Sequence, residues 1–147
     1  MAAGISLKPE NLDELRRRLN ANSGLTKEDF IEQQWIDVAL PFEYIDYDLI
    51  EQLSLLEPFG QGNEKPAFAQ RNVEIMNARV LGRNHNLVKL RLRSETGTYI
   101  DGLYFTDGDE WIKTLDGKSR IDILYYPQVN DYNGIRTIQI VIKGVKS

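Results

Sequence analysis

Basic side chains at alternate positions are the clearest sign of chemistry in this sequence. Lys89, Arg91 and Arg93 alternate with aliphatic residues in the segment 87–93. Because successive side chains of a β-strand point to opposite faces, the aliphatic set predicts a buried face and the basic set an outward row of cations. Such a row can follow the phosphates of a nucleic-acid strand while nearby aromatic rings stack on its bases. The alternative interpretation is the ordinary charged exterior of a soluble protein.

Other residues are predicted to lie beside this row. Tyr104 is out of phase with Leu103 and Phe105, which we assign to the core, so Tyr104 is the predicted stacking ring. Two polar loops, 82–86 and 130–134, are expected to flank the same face, and Asn133-Gly134 in the second suits a type I′ turn. The residues of these loops and the adjoining strand that we expect to contact a bound strand are Arg83, His85, Tyr132 and Arg136.

The sequence provides little material for catalysis. It has one histidine, His85, and no cysteine, so a thiolate metal site is impossible, and a zinc site or a histidine-based nucleophilic triad would need acidic residues to supply nearly all its other groups. The acidic cluster 107–110 departs from the calcium-loop pattern at Ile112, where a glycine is expected, and at Lys118, where a glutamate is expected. We therefore predict neither a catalytic residue nor a metal ligand in this chain.

The elements that position the basic row change character along the sequence. From residue 67 onward an alternating pattern predicts five strands and one short helix, which begins after Thr106 or Asp107 and lies between the third and fourth strands. The predicted strands are Asn72–Leu81, Leu87–Arg93, Tyr99–Phe105, Arg120–Tyr126 and Ile135–Ile142. This order predicts a mainly β fold, a five-stranded OB barrel, in which the face of strands two and three binds single strands.

Residues before the barrel show helical spacing. Pro9 suits the first turn of a helix whose inner face carries leucines, and Thr26 with Asp29 indicates a second short helix. A third helix is expected to begin near Asp46 or Asp48. The resulting domain prediction is a helical part at 1–45, a connecting helix and turn at 46–66, and the barrel at 67–147. The basic run 16–18 is best explained as a solvated helix face.

A segment rich in proline and glycine, residues 56–66, joins the two halves; we call it the knuckle. Gly60 and Gly62 can take positive φ at little steric cost, while Pro58 and Pro66 fix their own φ. Phe59 is expected to fix the knuckle to a core. The predicted structural residues of the knuckle are Pro58, Phe59, Gly60, Gly62 and Asn63.

Charge separates the halves as well. The 147-residue chain has a net charge of -4, with 41% hydrophobic and 27% charged residues, which suits one medium domain or a small domain with a helical attachment. Residues 1–66 contain 6 basic and 13 acidic side chains, whereas residues 67–147 contain 12 and 9. A mildly basic module is therefore joined to an acidic one. The absence of a secretory signal pattern and of a long apolar run predicts a cytoplasmic protein without membrane contact.

The knuckle sequence LEPFGQGNEKP resembles a segment that precedes the OB barrel in the RecJ family of single-strand-specific 5′ to 3′ DNA exonucleases, members of the DHH phosphoesterases. The resemblance extends over nearly the whole chain, including Asn130, Tyr132 and Gly134 in the second loop and Gln139 in the last strand. It implies a single-stranded-DNA-binding barrel from an enzyme of DNA repair and recombination.

The resemblance also implies what this chain lacks. RecJ proteins keep their manganese or magnesium ligands in an N-terminal DHH domain, to which nothing here corresponds, so we expect no metal or other cofactor in this chain. Residues 2–7 look like the sequence after the Gly-Gly-His motif of the DHH-associated domain, which makes residues 1–45 a remnant of that domain. The expected partner is single-stranded DNA, and the expected state is a monomer. The alternative is a docking module for a single-strand-binding protein or for the enzyme's own catalytic core.

Overall fold

The computed structural model describes residues 4, 6–24, 34–115 and 117–146. Two compact units divide the chain, Met1–Gln33 and Gln34–Ser147. The described part of the first unit forms α1 (Leu12–Asn22), which the chain enters through a 3-10 turn at Pro9–Asn11, so Pro9 lies in the first turn as predicted.

The basic run on α1 is exposed and partly paired. Arg17 and Arg18 contact the Glu14 carboxylate at 2.9 and 2.7 Å. Such exposed pairs, one turn apart on a helix, contribute little to its stability. The predicted short helix near Thr26 and Asp29 lies outside the described residues.

The second unit begins with short elements that pack against the long strands described below. A two-residue strand, β1 (Val38–Ala39), runs parallel to the start of the first long strand. Helix α2 (Tyr47–Ser54) begins after Asp46, whose carboxylate accepts the Leu49 N–H at 2.7 Å. This cap satisfies one of the amide groups that a helix start leaves without a partner, and Leu53 is buried in the common core.

The knuckle is held by its own hydrogen bonds. The side-chain amide of Asn63 donates to the carbonyl oxygens of Leu56 and Pro58 at 2.8 and 2.9 Å. Gly60 and Asn63 also exchange backbone hydrogen bonds of 2.8 and 3.1 Å. Gly62 has a φ of +82°, a region that side chains disfavour, whereas Gly60 is outside the positive-φ region. The segment is therefore a built turn.

Aromatic contacts fix the knuckle to the barrel wall. The Phe59 ring meets Tyr126 edge to face, with 6.0 Å between centroids. The Lys65 ammonium lies 4.2 Å from the Tyr126 centroid, and Lys143 donates to the Lys65 carbonyl oxygen at 2.7 Å. Edge-to-face rings and a cation over a ring are both favourable arrangements. Phe59 and Lys65 thus hold opposite ends of the knuckle to the same strand.

The remaining elements follow the predicted order. They are β2 (Phe68–Leu81), β3 (Leu87–Arg93), β4 (Tyr99–Tyr104), α3 (Gly108–Leu115), β5 (Arg120–Tyr132) and β6 (Ile135–Lys146). Three strands are longer than predicted, because β2 begins at Phe68, β5 continues to Tyr132 and β6 to Lys146. The extra length lets β2 bend through two register shifts and pair with two partners.

The five long strands close into a barrel. Their order is β2-β3-β4-β6-β5, and β2 also pairs with β5, which joins the two edges. All these pairings are antiparallel except that of β4 with β6. The predicted five-stranded barrel is confirmed. Its closure leaves β1 as an added strand beside β2.

Aliphatic side chains fill the barrel. The buried members from the five strands include Val73, Val88, Leu90, Leu92, Ile100, Ile121, Ile123, Ile140 and Ile142. Tyr125 is fully buried as well, and its hydroxyl donates to the Leu40 carbonyl oxygen at 2.5 Å. Burial raises the pKa of Tyr125, so its hydroxyl stays protonated and keeps this link to the segment before the barrel.

Helix α3 lies against the barrel between β4 and β5. The Asp107 carboxylate accepts the Glu110 N–H at 3.0 Å, which makes Asp107 the cap, one of the two predicted. Trp111 and Leu115 pack on the core, whereas Ile112 is 37% exposed. No helix among the described residues is long and apolar enough to span a membrane.

Candidate nucleic-acid interface

The outward cations of β3 form the predicted row. Lys89, Arg91 and Arg93 lie opposite Leu103, Asp101 and Tyr99 of β4. Their side chains are about half exposed, at 50%, 50% and 43%, while the alternate residues of β3 are fully buried. The pleat of one regular strand therefore gives both the barrel core and a continuous basic stripe.

Two carboxylates share the face with these cations. Asp101 of β4 lies 2.7 Å from the Arg91 guanidinium and 3.7 Å from the Lys89 ammonium. Glu74 of β2 lies 3.7 Å from Arg93. The face is thus less positive than its basic residues alone indicate. Because all these groups are partly exposed, each pair is worth about 0–1 kcal/mol.

The predicted phase of β4 is wrong, and Tyr104 lies on the other side of the sheet. Tyr104 stands opposite the buried Val88, and its ring packs edge to face on Trp111 with 5.4 Å between centroids. The inward position between Ile100 and Tyr104 belongs to Gly102. Because glycine has no side chain, the inward positions of β4 cannot be recognised from the pattern of hydrophobic residues. Tyr104 is therefore a packing residue beside the core.

Tyr99 is the ring that the outer face presents. It is 48% exposed, directly opposite Arg93. The guanidinium carbons of Arg91 and Arg93 lie 5.5 and 5.7 Å from its centroid, within the range of cation–π contact. The sequence analysis does not include Tyr99 among the candidate contacts. The sequence does contain a clue: Tyr99 is two residues from Asp101, so the two share a face of the strand, and a charged residue is expected on the outer face.

Further polar residues extend the face beyond the predicted set. Arg79 of β2 lies opposite Lys89, and Asn77 lies opposite Arg91. Both line a shallow depression of about 160 Å³ whose other walls include Lys89, Arg91 and Asp101. On the far side of β4, Gln139 of β6 is the partner of Asp101. Cross-strand register, which the sequence does not state, places these groups together.

The loop between β2 and β3 lies at one end of the stripe and docks on α3. The His85 carbonyl oxygen accepts the Gly108 N–H at 2.7 Å, and His85 Nδ1 lies 2.6 Å from the Asp109 carboxylate. That hydrogen bond and the charge of Asp109 raise the pKa of His85 above its ordinary value. Arg83 is exposed in the same loop. Two predicted contact residues are thus carried by a loop that α3 positions.

The hairpin between β5 and β6 lies toward the other end. Asn133 and Gly134 have φ of +52° and +77°, the positive pair that a type I′ turn requires, as predicted. Since Asp101 pairs with Gln139 in parallel register, the start of β6 lies beyond the Tyr99 end of β4. Tyr132 is 70% exposed at the tip.

Arg136 points toward α2. Its guanidinium carbon lies 5.7 Å from the Tyr47 ring centroid, and its carbonyl oxygen accepts the Tyr47 hydroxyl hydrogen at 3.0 Å. The hairpin base is therefore tied to the helix before the barrel. The structure thus groups the three β3 cations on one face, with the two loops at opposite ends, while Arg136 contacts the helix and Tyr104 the core.

Among the described residues, no group of three or more histidine, cysteine, aspartate or glutamate side chains could hold a metal ion. Asp107 caps α3 and Asp109 pairs with His85, which accounts for the acidic cluster that the sequence shows there. The donors present in this part of the chain do not fit a divalent-cation site, and no chemical step is assigned to a metal here.

A closed five-stranded barrel with this strand order, and with a helix between its third and fourth strands, is an oligonucleotide/oligosaccharide-binding (OB) fold. The family described as the RecJ OB domain matches residues 36–144. The chain therefore belongs to the RecJ OB-domain family, and the resemblance drawn from the knuckle sequence is confirmed.

Relatives of known function are longer than this chain. The single-stranded-DNA-specific exonuclease RecJ of Bacillus subtilis (strain 168) is 36% identical over 145 residues, which are 97% of this chain and 18% of that protein. The enzyme of the same name from Dickeya dadantii (strain 3937) is 27% identical over 97% of this chain and 25% of its own length. The chain thus spans a quarter or less of either relative.

Solved structures agree on the fold. RecJ from Thermus thermophilus in complex with Mn²⁺ matches 98% of this chain with a TM-score of 0.69 at 20% identity, over 20% of its own length. Its complex with Mg²⁺ matches 97% of this chain with a TM-score of 0.68, over 21% of its own length. At this level of identity the likeness concerns the arrangement of the chain.

Proposed function

We propose that this barrel binds single-stranded DNA along the outer face of β3 and β4. The observation that carries the proposal is the row of Lys89, Arg91 and Arg93, with the exposed ring of Tyr99 beside it on the same face. Cations can follow the phosphates while the ring stacks on a base, which needs no sequence-specific contact. Arg83, His85 and Tyr132 in the flanking loops are further proposed contacts.

The barrel is proposed to serve a longer, cytoplasmic RecJ-type exonuclease of DNA repair and recombination. Both relatives named above are single-stranded-DNA-specific exonucleases. In such an enzyme, a barrel that grips the strand raises the local concentration of DNA at a catalytic site carried elsewhere in the protein. The role of this chain is then to bind and position the strand, with hydrolysis at the manganese or magnesium site of the catalytic domain.

The direct test removes the stripe. We expect the triple variant K89A/R91A/R93A to lose most of its affinity for a fluorescent oligodeoxythymidine in a fluorescence-anisotropy titration, because phosphate contacts dominate binding. The slope of log affinity against log salt should also become shallower, by about 0.7 for each phosphate that the variant no longer neutralises.

A matched control is available on α1. The triple variant R16A/R17A/R18A removes the same charge from an exposed helix face, and we expect its affinity to change little. Equal affinity of wild type and K89A/R91A/R93A at low salt would contradict the proposal. Equal losses in the two triple variants would instead indicate attraction by net charge. Chemical-shift mapping with the oligonucleotide locates the binding surface. We expect the shifts to change on β3, on β4 and in the two loops.

Exposed apolar side chains before the barrel favour a second candidate function, protein docking. Trp35, Tyr44 and Leu55 are 83%, 68% and 79% exposed. Large exposed apolar groups often mark protein contacts. The proposed partners are the tail of a single-strand-binding protein or the catalytic core of the same enzyme. This second function would be favoured if the affinity for oligonucleotides did not depend on salt concentration and a partner peptide bound tightly.

A further inference from the structure

The cations of the outer face are not equally available to a ligand. Asp101 lies between two of them, 2.7 Å from Arg91 and 3.7 Å from Lys89. Its carboxylate is on the same face, one strand away, and is itself only partly exposed. A phosphate that approaches Arg91 therefore meets a guanidinium that already has an anionic partner.

Arg79 differs from these two cations. It is exposed on β2 directly opposite Lys89, and it lines the same shallow depression as Lys89, Arg91 and Asp101. Within the part of the chain that the structure describes, no carboxylate lies within 4.0 Å of Arg79. Its charge is therefore not offset by a described carboxylate, and it lines the depression beside the paired cations.

We propose that Asp101 is a resident competitor of the DNA phosphates for Arg91 and Lys89, and that Arg79 is a phosphate contact of the same face. This inference rests on the proposed function. A bound strand meets Arg79 without displacing any group, and it gains Arg91 only by exchanging a phosphate for the Asp101 carboxylate. When the strand leaves, Asp101 pairs again with Arg91.

Such an exchange has a modest energetic cost. Ion pairs between partly exposed groups are weak, so a phosphate can replace the carboxylate at little cost. The consequence is weaker binding with a shorter bound lifetime, since changes within one interface act mostly on dissociation.

The variant D101N tests the competition. It keeps the shape of the side chain and removes its charge, and we expect it to bind an oligodeoxythymidine about two- to fivefold more tightly than wild type, with slower dissociation in stopped flow. Its salt slope should steepen by about 0.7 for one additional neutralised phosphate. E51Q is the matched control, because it changes the net charge equally on the exposed side of α2.

A double-mutant cycle separates competition from simple repulsion. If Asp101 occupies Arg91, the loss caused by R91A should be about two- to fivefold larger in D101N than in wild type. Additive electrostatic repulsion predicts the same loss in both backgrounds. Arg79 is the internal control, because R79A should weaken binding about two- to fivefold, and equally in both backgrounds.

The outcomes distinguish this inference from the function on which it rests. Loss of binding in K89A/R91A/R93A, combined with D101N no tighter than E51Q, would overturn the competition and leave the binding face in place. Unchanged affinity in R79A would remove the Arg79 contact. If K89A/R91A/R93A binds like wild type, the face itself is misassigned and the proposed function fails.

Discussion

Single side chains decide what the outer face of β3 and β4 can hold. Tyr99 has two guanidinium groups within 5.7 Å of its ring centroid. These neighbours restrict the ring, so less conformational entropy is lost when a base stacks on it. In the proposed complex, the same guanidinium groups contact the phosphates of that nucleotide. A ring and cations that preorganise one another bind better than the same groups spread over a surface.

The pH response of His85 is a prediction about a single residue. Its hydrogen bond to Asp109 raises its pKa above 6.5, so the imidazolium persists to higher pH than in an unfolded chain. The contribution of this pair to stability is therefore full at pH values below the ordinary pKa and is lost as the pH rises through the raised one. Affinity for single-stranded DNA should fall over the same interval, because a positive charge leaves the loop.

An NMR titration can measure this pKa directly, since His85 is the single histidine of the chain. We expect a pKa above 6.5 in wild type and a value nearer the ordinary one in D109N. E110Q is the control, because it removes a charge from the same helical turn and leaves the Asp109 carboxylate that contacts His85. A pKa that is the same in wild type and D109N would show that the pair does not form in solution.

Among the elements, β3 could be predicted with its bounds and faces from the sequence, and β4 could not. In β3 every second residue is aliphatic and buried, so the alternation gives the correct face. In β4 the inward set includes Gly102, while the outward set includes Leu103. A rule based on hydrophobicity then chooses the wrong side, and the error moves the predicted ring from Tyr99 to Tyr104.

The lengths of β2 and β5 depend on distant partners. The first residues of β2 pair with β5, about 50 residues later, across a register shift between Gln70 and Val73. Inside that irregularity the Asn72 N–H donates to the Asp122 carboxylate at 2.9 Å. The polar residues of this stretch indicate a loop in the sequence, because the side chain that accepts the backbone hydrogen bond lies far away along the chain. The ion pairs of Asp101 could not be predicted either, since they depend on the register between β3 and β4.

The close packing around Gly102 gives a prediction about β4. A Cβ at this position would lie 3.1 Å from Ile142 Cδ1 and 3.4 Å from both Ile140 Cγ1 and Leu92 Cδ1. We therefore expect G102A to lower the free energy of unfolding by about 1–3 kcal/mol, the usual cost of overpacking a core. Urea unfolding followed by circular dichroism measures it.

The matched substitution is G60A in the knuckle, where a Cβ would meet nothing within 4 Å and φ is not positive. We expect its midpoint to stay near that of wild type. Equal midpoints for G102A and wild type would mean that the barrel interior is less tightly packed at this position than the contacts indicate.

Taken as a whole, the molecule carries opposite charges in its two halves, so its net charge of -4 does not describe the barrel. The outer face of β3 and β4 is a local feature whose cations are partly paired, which predicts moderate, salt-sensitive binding. Because the chain corresponds to a quarter or less of its relatives, such moderate affinity agrees with the proposed role as one DNA-binding module of a longer enzyme.

The last prediction concerns discrimination between single strands and duplexes. Cations alone attract both, but Tyr99 can stack only on a base that is free of its pairing partner. Wild type should therefore be displaced from a labelled oligodeoxythymidine by unlabelled single strands at much lower concentration than by a blunt duplex of the same length. The variant Y99A should lose about 1–3 kcal/mol of single-strand affinity and bind duplex as before. Y44A, which removes an exposed tyrosine before the barrel, should keep the discrimination. Equal competition by duplex and single strand in wild type would mean that the face reads phosphates alone, and the ring would then have no part in binding.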